Sequence, residues 1–332
     1  MRLFMILCFT ALLAGAGPAT KPVEKPILPI QTVALPGVEG PMDHLCLDRQ
    51  ASRLFIASLG KNAVYIMDLK IGRMAMQMSG LPKPQGIALA PDIERVAITC
   101  EADGGCRLIG RAKLNVLSLV SLGTDADNVR YEPVAKCFWV GFGNGGLAVL
   151  DPVALKTVTE IKLESHPESF QFESKGKRVF VNLPLSGYIA VIDREKYEIT
   201  AKWRPDGAAA FYPMALDEEH HRLFIGCRKP AKVLVLDLDT GKTITSIDCV
   251  ADTDDLYYDS TARQIYVTGG GGTITILKQT DADHYAPIRN IPTGDGARTS
   301  VLDPETGWLY VAVPHRDKQR AEIKVFDMRG MP

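Results

Sequence analysis

Polar and acidic side chains recur at one fixed place along this 332-residue chain. Seven short apolar runs punctuate it. Eleven residues before the second residue of each stand Asp43, Gln85, Asp127, Glu168, Tyr212, Asp254 and Arg298. The residues after them are His44, Gly86, Asn128, Ser169, Pro213, Asp255 and Thr299, with Asp125 and His166 just upstream. Carboxylates gathered at one place repel one another and must be neutralised by a cation, a base or bound water. Gathered by the fold, these positions would form a polar rim, acidic in balance and suited to a divalent cation or a basic group. The same acids could instead cap strand ends and bond loop amides, leaving a solvated structural rim.

Other chemical signals are thinner. His220-His221 follows Asp217-Glu218-Glu219 in a turn and reads as a surface loop. Gly269-Gly270-Gly271-Gly272 lacks the Lys-Ser/Thr and the following helix of a phosphate loop, so it reads as a hairpin turn. No Gly-x-Ser-x-Gly and no Cys-x-x-Cys-His occurs, which removes the common serine-hydrolase and c-type haem signatures.

The elements that must position the rim are legible as a repeat. Arg53-Leu54-Phe55-Ile56-Ala57 returns as Arg95-Val96-Ala97-Ile98-Thr99 and Cys137-Phe138-Trp139-Val140-Gly141. It continues as Arg178-Val179-Phe180-Val181-Asn182, Arg222-Leu223-Phe224-Ile225-Gly226, Gln264-Ile265-Tyr266-Val267-Thr268 and Trp308-Leu309-Tyr310-Val311-Ala312. From Leu54 to Leu309 the steps are 42, 42, 41, 44, 42 and 44 residues. A second apolar run follows most copies and often ends in Asp, as at Asp68, Asp151, Asp193, Asp237 and Asp327, with turn formers between the two. With a third run after it and a fourth before the anchor, each repeat holds about four short strands. Four strands in about 40 residues, repeated radially, are a propeller blade. The fold expected is therefore all-β, a seven-bladed β-propeller with four-stranded blades. The last repeat lacks a fourth strand, and Ile30-Gln31-Thr32-Val33-Ala34-Leu35 is a strand without a repeat, so this N-terminal strand is expected to close the ring.

Two stretches resemble the YVTN or YncE-like β-propeller repeat family: Ile265-Tyr266-Val267-Thr268-Gly269 with Thr273-Ile274-Thr275-Ile276-Leu277, and Val233-Leu234-Val235-Leu236-Asp237 with Asp239-Thr240-Gly241-Lys242. The resemblance covers nearly all of the chain after its N-terminal segment. It implies a scaffold fold and carries no catalytic set. Blade 2 departs from it, because Cys106-Arg107-Leu108-Ile109-Gly110 lacks the closing Asp and its hairpin is expected to be irregular.

The ends and the composition bound the function. Arg2, an apolar run over residues 3–13 and Ala14-Gly15-Ala16 describe a signal peptide over 1–16. An extended lead-in over 17–29 and one propeller domain over 30–332 follow, in a periplasmic or secreted protein. The apolar run is shorter than the roughly 20 residues that span a bilayer, so no transmembrane segment is expected. Net charge is −1 with 23% charged residues, which does not favour nucleic acid. Export permits disulfides. Cys100 and Cys106 flank Glu-Ala-Asp-Gly-Gly and are expected to bridge; Cys46, Cys137, Cys227 and Cys249 read as strand thiols. The functional reading is a binding or interaction scaffold whose acidic channel mouth holds an unknown small molecule or protein. The alternative is a metal-dependent propeller enzyme, a lactonase-like hydrolase or lyase working through Asp127, Asn128, Glu168 and Asp254. A redox or cofactor-binding propeller finds no ligand motif here.

Overall fold

A computed structural model describes residues 26–329. The expected signal peptide at 1–16 and residues 17–25 of the lead-in lie outside the described residues. Twenty-eight strands form seven four-stranded antiparallel sheets. Six are consecutive blades over 42–79, 84–121, 126–162, 170–203, 209–248 and 253–292. The seventh takes three strands from 300–327 and its outermost from Gln31–Ala34, which pairs antiparallel with Glu322–Asp327. The expected closure is therefore present. No α-helix occurs among the described residues, and none there is long and apolar enough to cross a membrane.

Burial explains why the repeat shows best in the second strand of each blade. Arg53–Ser58 is buried at five consecutive positions, because its two faces pack against two neighbouring blades. Such a strand reads as a continuous apolar run. The outermost strand Arg73–Ser79 is mostly exposed and carries no such signal. Seven apolar clusters fill the spaces between blades. Val33, Leu35 and Val38 from the closing strand and its loop join Leu54, Ile56, Tyr310, Ile323 and Val325 between blades 7 and 1.

The closing Asp has a local cause. Its carboxylate accepts the backbone N–H groups two and three residues on, holding the turn to the outer strand. Asp68 takes Lys70 and Ile71, Asp151 takes Val153 and Ala154, and Asp193 takes Glu195 and Lys196. Blade 2 manages without one: Arg95–Cys100 and Gly105–Gly110 pair in unbroken register, so the irregularity expected there does not occur.

The expected Cys100–Cys106 disulfide is corrected by that register. Cys100 lies opposite Gly105, and Cys106 opposite Thr99. A one-residue offset puts the two thiols on opposite faces of the sheet. Cys100 packs between blades 1 and 2 and Cys106 between blades 2 and 3. All six described cysteines are thiols, with Cys46 and Cys249 half-buried and the rest buried.

Candidate functional site at the channel mouth

In five of the seven blades the rim positions stand where the innermost strand breaks its ladder. In blade 1 Met42 pairs with Ser58 and Leu45 with Ile56, so Asp43 and His44 together oppose Ala57 alone. The same two-against-one bulge falls at Gln85-Gly86, Asp127-Asn128 and Tyr212-Pro213; at Asp254 a single residue is extra. A bulge bends the inner strand and re-aims its side chains, here toward one end of the ring. The residue opposite must be small. A Cβ on Gly226 would stand 2.5 Å from Pro213 Cγ, and one on Gly141 3.0 Å from Pro167 Cγ. The small residue ending each anchor is therefore the partner of the bulge.

Where that partner is polar, it ties its blade to the next. Thr99 Oγ1 donates to the Asp127 carbonyl, Asn182 Nδ2 to the Tyr212 carbonyl at 2.8 Å, and Thr268 Oγ1 to the Arg298 carbonyl at 2.8 Å. Innermost strands are sheet edges with unpaired carbonyls, and these side chains satisfy them. Below the bulges, Gln171 donates to the Met214 carbonyl and Tyr257 to the Ser300 carbonyl. The ring encloses a central cavity of about 490 Å³, lined from every blade by His44, Gly86, Asn128, Ser169, Pro213, Asp255 and Ser300 among others.

The mouth divides into two electrostatic halves. On the side of blades 5 to 7 the acids are paired. Arg228 Nη2 meets Asp254 Oδ1 at 2.5 Å, its Nε donates to the Thr253 carbonyl, and its guanidinium lies 3.5 Å from the Tyr212 ring centroid. Arg298 stands 3.4 Å from Asp252 and 3.9 Å from Asp254. His44 lies 3.8 Å from both Asp43 and Asp255, and Asp255 accepts the Ser300 N–H.

On the side of blades 3 and 4, Asp127, His166 and Glu168 place one ligand-capable atom each within 4.8 Å of one another. His166 Nδ1 donates to the Gly143 carbonyl at 2.6 Å and faces Asp125 at 3.4 Å; its Nε2 faces Asp127 Oδ2 at 3.4 Å. The Glu168 carboxylate and the Asn128 amide make no hydrogen bond or ion pair, although Asn128 is only 6% exposed. Gln85, with its amide nitrogen toward the channel, bridges Asp127 and Asp43 at 3.1 Å each.

Protonation follows this layout. Burial, then the charges of Asp127 and Asp254, push the Glu168 carboxyl up to about 8. Burial raises Asp254 to about 7 against the opposing pull of Arg228. Burial also lifts Asp43, to about 6, although His44 opposes it. For His44 burial works against the charge, but Asp43, Asp255, Asp127 and Asp254 outweigh it and lift the ring to about 9.

The opposite end of the ring is also acidic, yet satisfied. Six residues before the second residue of each anchor stand Asp48, Glu132, Glu173, Asp217, Asp259 and Asp303, with Ala90 the exception. Asp48 is chelated by Arg111 at 2.6 and 2.9 Å, Glu132 meets Arg194, Glu173 binds Arg178, and Asp303 faces Arg49. Asp217 accepts from Gln279 and His220, and Asp259 from two turn amides.

All ten rim residues expected from the sequence stand at the innermost-strand entrances, and six of their carboxylates and bases, all but Glu168, form the hydrogen bonds and ion pairs above. Thr299 precedes the blade 7 strand and its carbonyl accepts the Ala312 N–H. The balance differs from expectation: Arg228 and His166 join Arg298 and His44, so the blade 5–7 side is neutralised. Arg228 was invisible to counting because it belongs to a second strand, Arg222–Lys229, that runs past its bulge partner Gly226. His221 is exposed and Gly270–Gly272 make a hairpin turn, as expected.

A closed ring of seven four-stranded blades around a central cavity defines a seven-bladed β-propeller. No protein-family model matches the chain. It is 26% identical over 179 residues to the uncharacterized protein YncE of Salmonella typhi, a match over 52% of this chain and 49% of that protein, so the chain spans about half the length of the curated relative it matches. In its repeat and its closed ring, the chain is similar to the YncE-like propellers. Solved structures share the fold: a chain of Kuenenia stuttgartiensis hydrazine synthase (TM-score 0.77, 14% identity, 88% of this chain and 98% of that one) and a chain of the mitotic checkpoint complex (0.77, 14%, 97% and 99%). The WD40 repeats of RRP9 superpose with TM-score 0.79 at 8% identity, over 92% of this chain and 99% of theirs.

Proposed function

We propose that this chain is an exported binding propeller whose channel mouth takes up a small cationic or basic ligand. The observation that carries this reading is the contrast between the two ends of the ring. Acids at the far end are each held by a hydrogen-bonded or ionic partner, whereas the Glu168 carboxylate and the Asn128 amide at the mouth make no hydrogen bond or ion pair. Unpaired polar groups in a concave, partly desolvated place are where ligands bind. Titration calorimetry of a panel of small amines, with wild type and Glu168→Gln, tests it. Saturable heat that weakens in the variant supports the reading; negligible heats in both reduce the mouth to scaffold. Export is supported by Arg2, the apolar run at 3–13 and Ala14-Gly15-Ala16. N-terminal sequencing of the extracytoplasmic protein should begin after residue 16. A second reading, a metal-dependent hydrolase or lyase, draws on Asp127, His166 and Glu168, and turnover of lactones and activated esters that is abolished by chelation would favour it.

A further inference from the structure

Resting on that reading of the mouth, we propose a specific occupant for its unpaired side: Asp127, His166 and Glu168 bind one first-row divalent transition-metal ion of the Zn²⁺ or Mn²⁺ class.

The ligand atoms come from two neighbouring blades and lie within 4.8 Å of one another. Bonds of about 2.0–2.2 Å to nitrogen and carboxylate oxygen bring such donors to roughly 3–4 Å apart, which small side-chain rotations supply here. Their backbones are fixed. Thr99 holds the Asp127 carbonyl, the Glu168 N–H donates to the Asn182 carbonyl at 3.0 Å, and Pro167 lies against Gly141.

The orientation of His166 is a second, separate observation. Its Nδ1 proton is given to the Gly143 carbonyl, with Asp125 alongside at 3.4 Å. In the neutral ring that leaves the Nε2 lone pair directed at Asp127, 3.4 Å away. Two acceptors face each other there unless a proton or a metal ion lies between them. An imidazole held through its other nitrogen by a carbonyl or carboxylate is the usual support of a metal-ligating histidine. Glu168 brings a carboxylate that makes no hydrogen bond or ion pair, and Asn128, buried and without a hydrogen bond, lines the channel where a metal-bound water would need a hydrogen-bond partner.

Charge and donor type choose the ion. Two carboxylates and a neutral imidazole balance a divalent charge. An imidazole among the donors favours transition ions over Ca²⁺ and Mg²⁺, which prefer all-oxygen shells. Three protein donors facing an open channel leave positions for water or ligand.

The test uses the purified chain after chelation and dialysis, titrated with Zn²⁺ and Mn²⁺, with Co²⁺ as spectroscopic probe. One ion per chain is expected, with a ligand-field band for Co²⁺. Affinity should fall at least tenfold in His166→Gln and in Glu168→Gln, and stay at the wild-type level in Asp248→Asn, an exposed carboxylate on the outermost strand of blade 5. Absence of stoichiometric binding in wild type, or undiminished binding in both ligand variants, would overturn the proposal. Zn²⁺ X-ray absorption of the unmodified protein guards against variants that fail to fold. One imidazole with oxygen donors is expected, and sulfur or several imidazoles would overturn the site. Amines that still bind while metals do not would remove the ion and leave the broader reading of the mouth standing.

Discussion

Asn182 of blade 4 donates from Nδ2 to the Tyr212 carbonyl of blade 5 at 2.8 Å, with its own residue fully buried. Thr99 and Thr268 make the equivalent bond two blades away on either side, while Ala57, Gly141, Gly226 and Ala312 hold the same place with no donor. Polar ties thus alternate with close apolar contact around the inner ring. Asn182→Ala should strand the Tyr212 carbonyl and open a void, costing about 1–3 kcal/mol. Urea unfolding measures this, and a variant within experimental error of wild type would show that the tie is dispensable.

Ring closure should dominate stability. Deleting 27–36 removes the pairing of Gln31–Ala34 with Glu322–Asp327 and the buried Val33 and Leu35. Those two side chains alone are worth about 1.5–3 kcal/mol each, and the exposed edge invites association. We expect a large drop in melting temperature with aggregation. A truncated chain that melts like the intact one would refute the role given to this strand.

The two halves of the mouth should answer mutation with opposite signs. Asp254→Asn takes from the Arg228 guanidinium, mostly enclosed between Tyr212 and Thr253, its shorter carboxylate contact and leaves only Asp252 at 3.4 Å. It should destabilise by about 1–3 kcal/mol. Glu168→Gln removes a carboxyl whose ionised form burial and the charges of Asp127 and Asp254 disfavour, so in the metal-free protein it should be neutral or stabilising, the usual mark of a site where function costs stability. Chemical denaturation of both variants decides; the same sign in both would mean the division is absent.

His44 should make stability depend on pH. Its folded value of about 9 lies above the ordinary 6.5, since Asp43, Asp255, Asp127 and Asp254 face it. Its contribution is fully present below pH 6.5 and is lost as pH rises through about 9. The difference corresponds to on the order of 3 kcal/mol. Between pH 6 and 9.5 the melting temperature of wild type should fall more than that of His44→Gln. Parallel curves would show that His44 stays neutral.

Thiol titration under denaturing, non-reducing conditions should find every one of the six described cysteines free. A count of four would restore the Cys100–Cys106 bridge and require the blade 2 register to slip.

Fold and rim were readable for one reason. The second strand of each blade is buried on both faces, so its apolar run survives in all seven repeats and sets a ruler. The bulge stands at a constant distance from that ruler, so counting found Asp43, Asp127 and Asp254. Counting along one strand could not find Arg228, which arrives from the neighbouring strand. It also could not see that Glu168 is unpaired while Asp254 is not, because pairing is decided across blades. The cysteine bridge failed on parity: one residue of turn length decides which face a thiol takes.

Gln31 waits for Val325, roughly three hundred residues further along the chain, before it finds a sheet partner, although Val325 by then pairs with Tyr310 on its other side. Blades 1 to 6 are each made of consecutive strands and can form as local hairpins while the chain is still being made. The seventh cannot, so the most distant pairing in the molecule is also the step that turns an arc into a ring. Because contacts of such long separation are slow to form, the unclosed arc should be the long-lived species in refolding, with its last blade one strand short. A protein disulfide or linker joining residues near 31 and 325 would make that wait intramolecular at short range, and the lag before native signal appears should shorten accordingly.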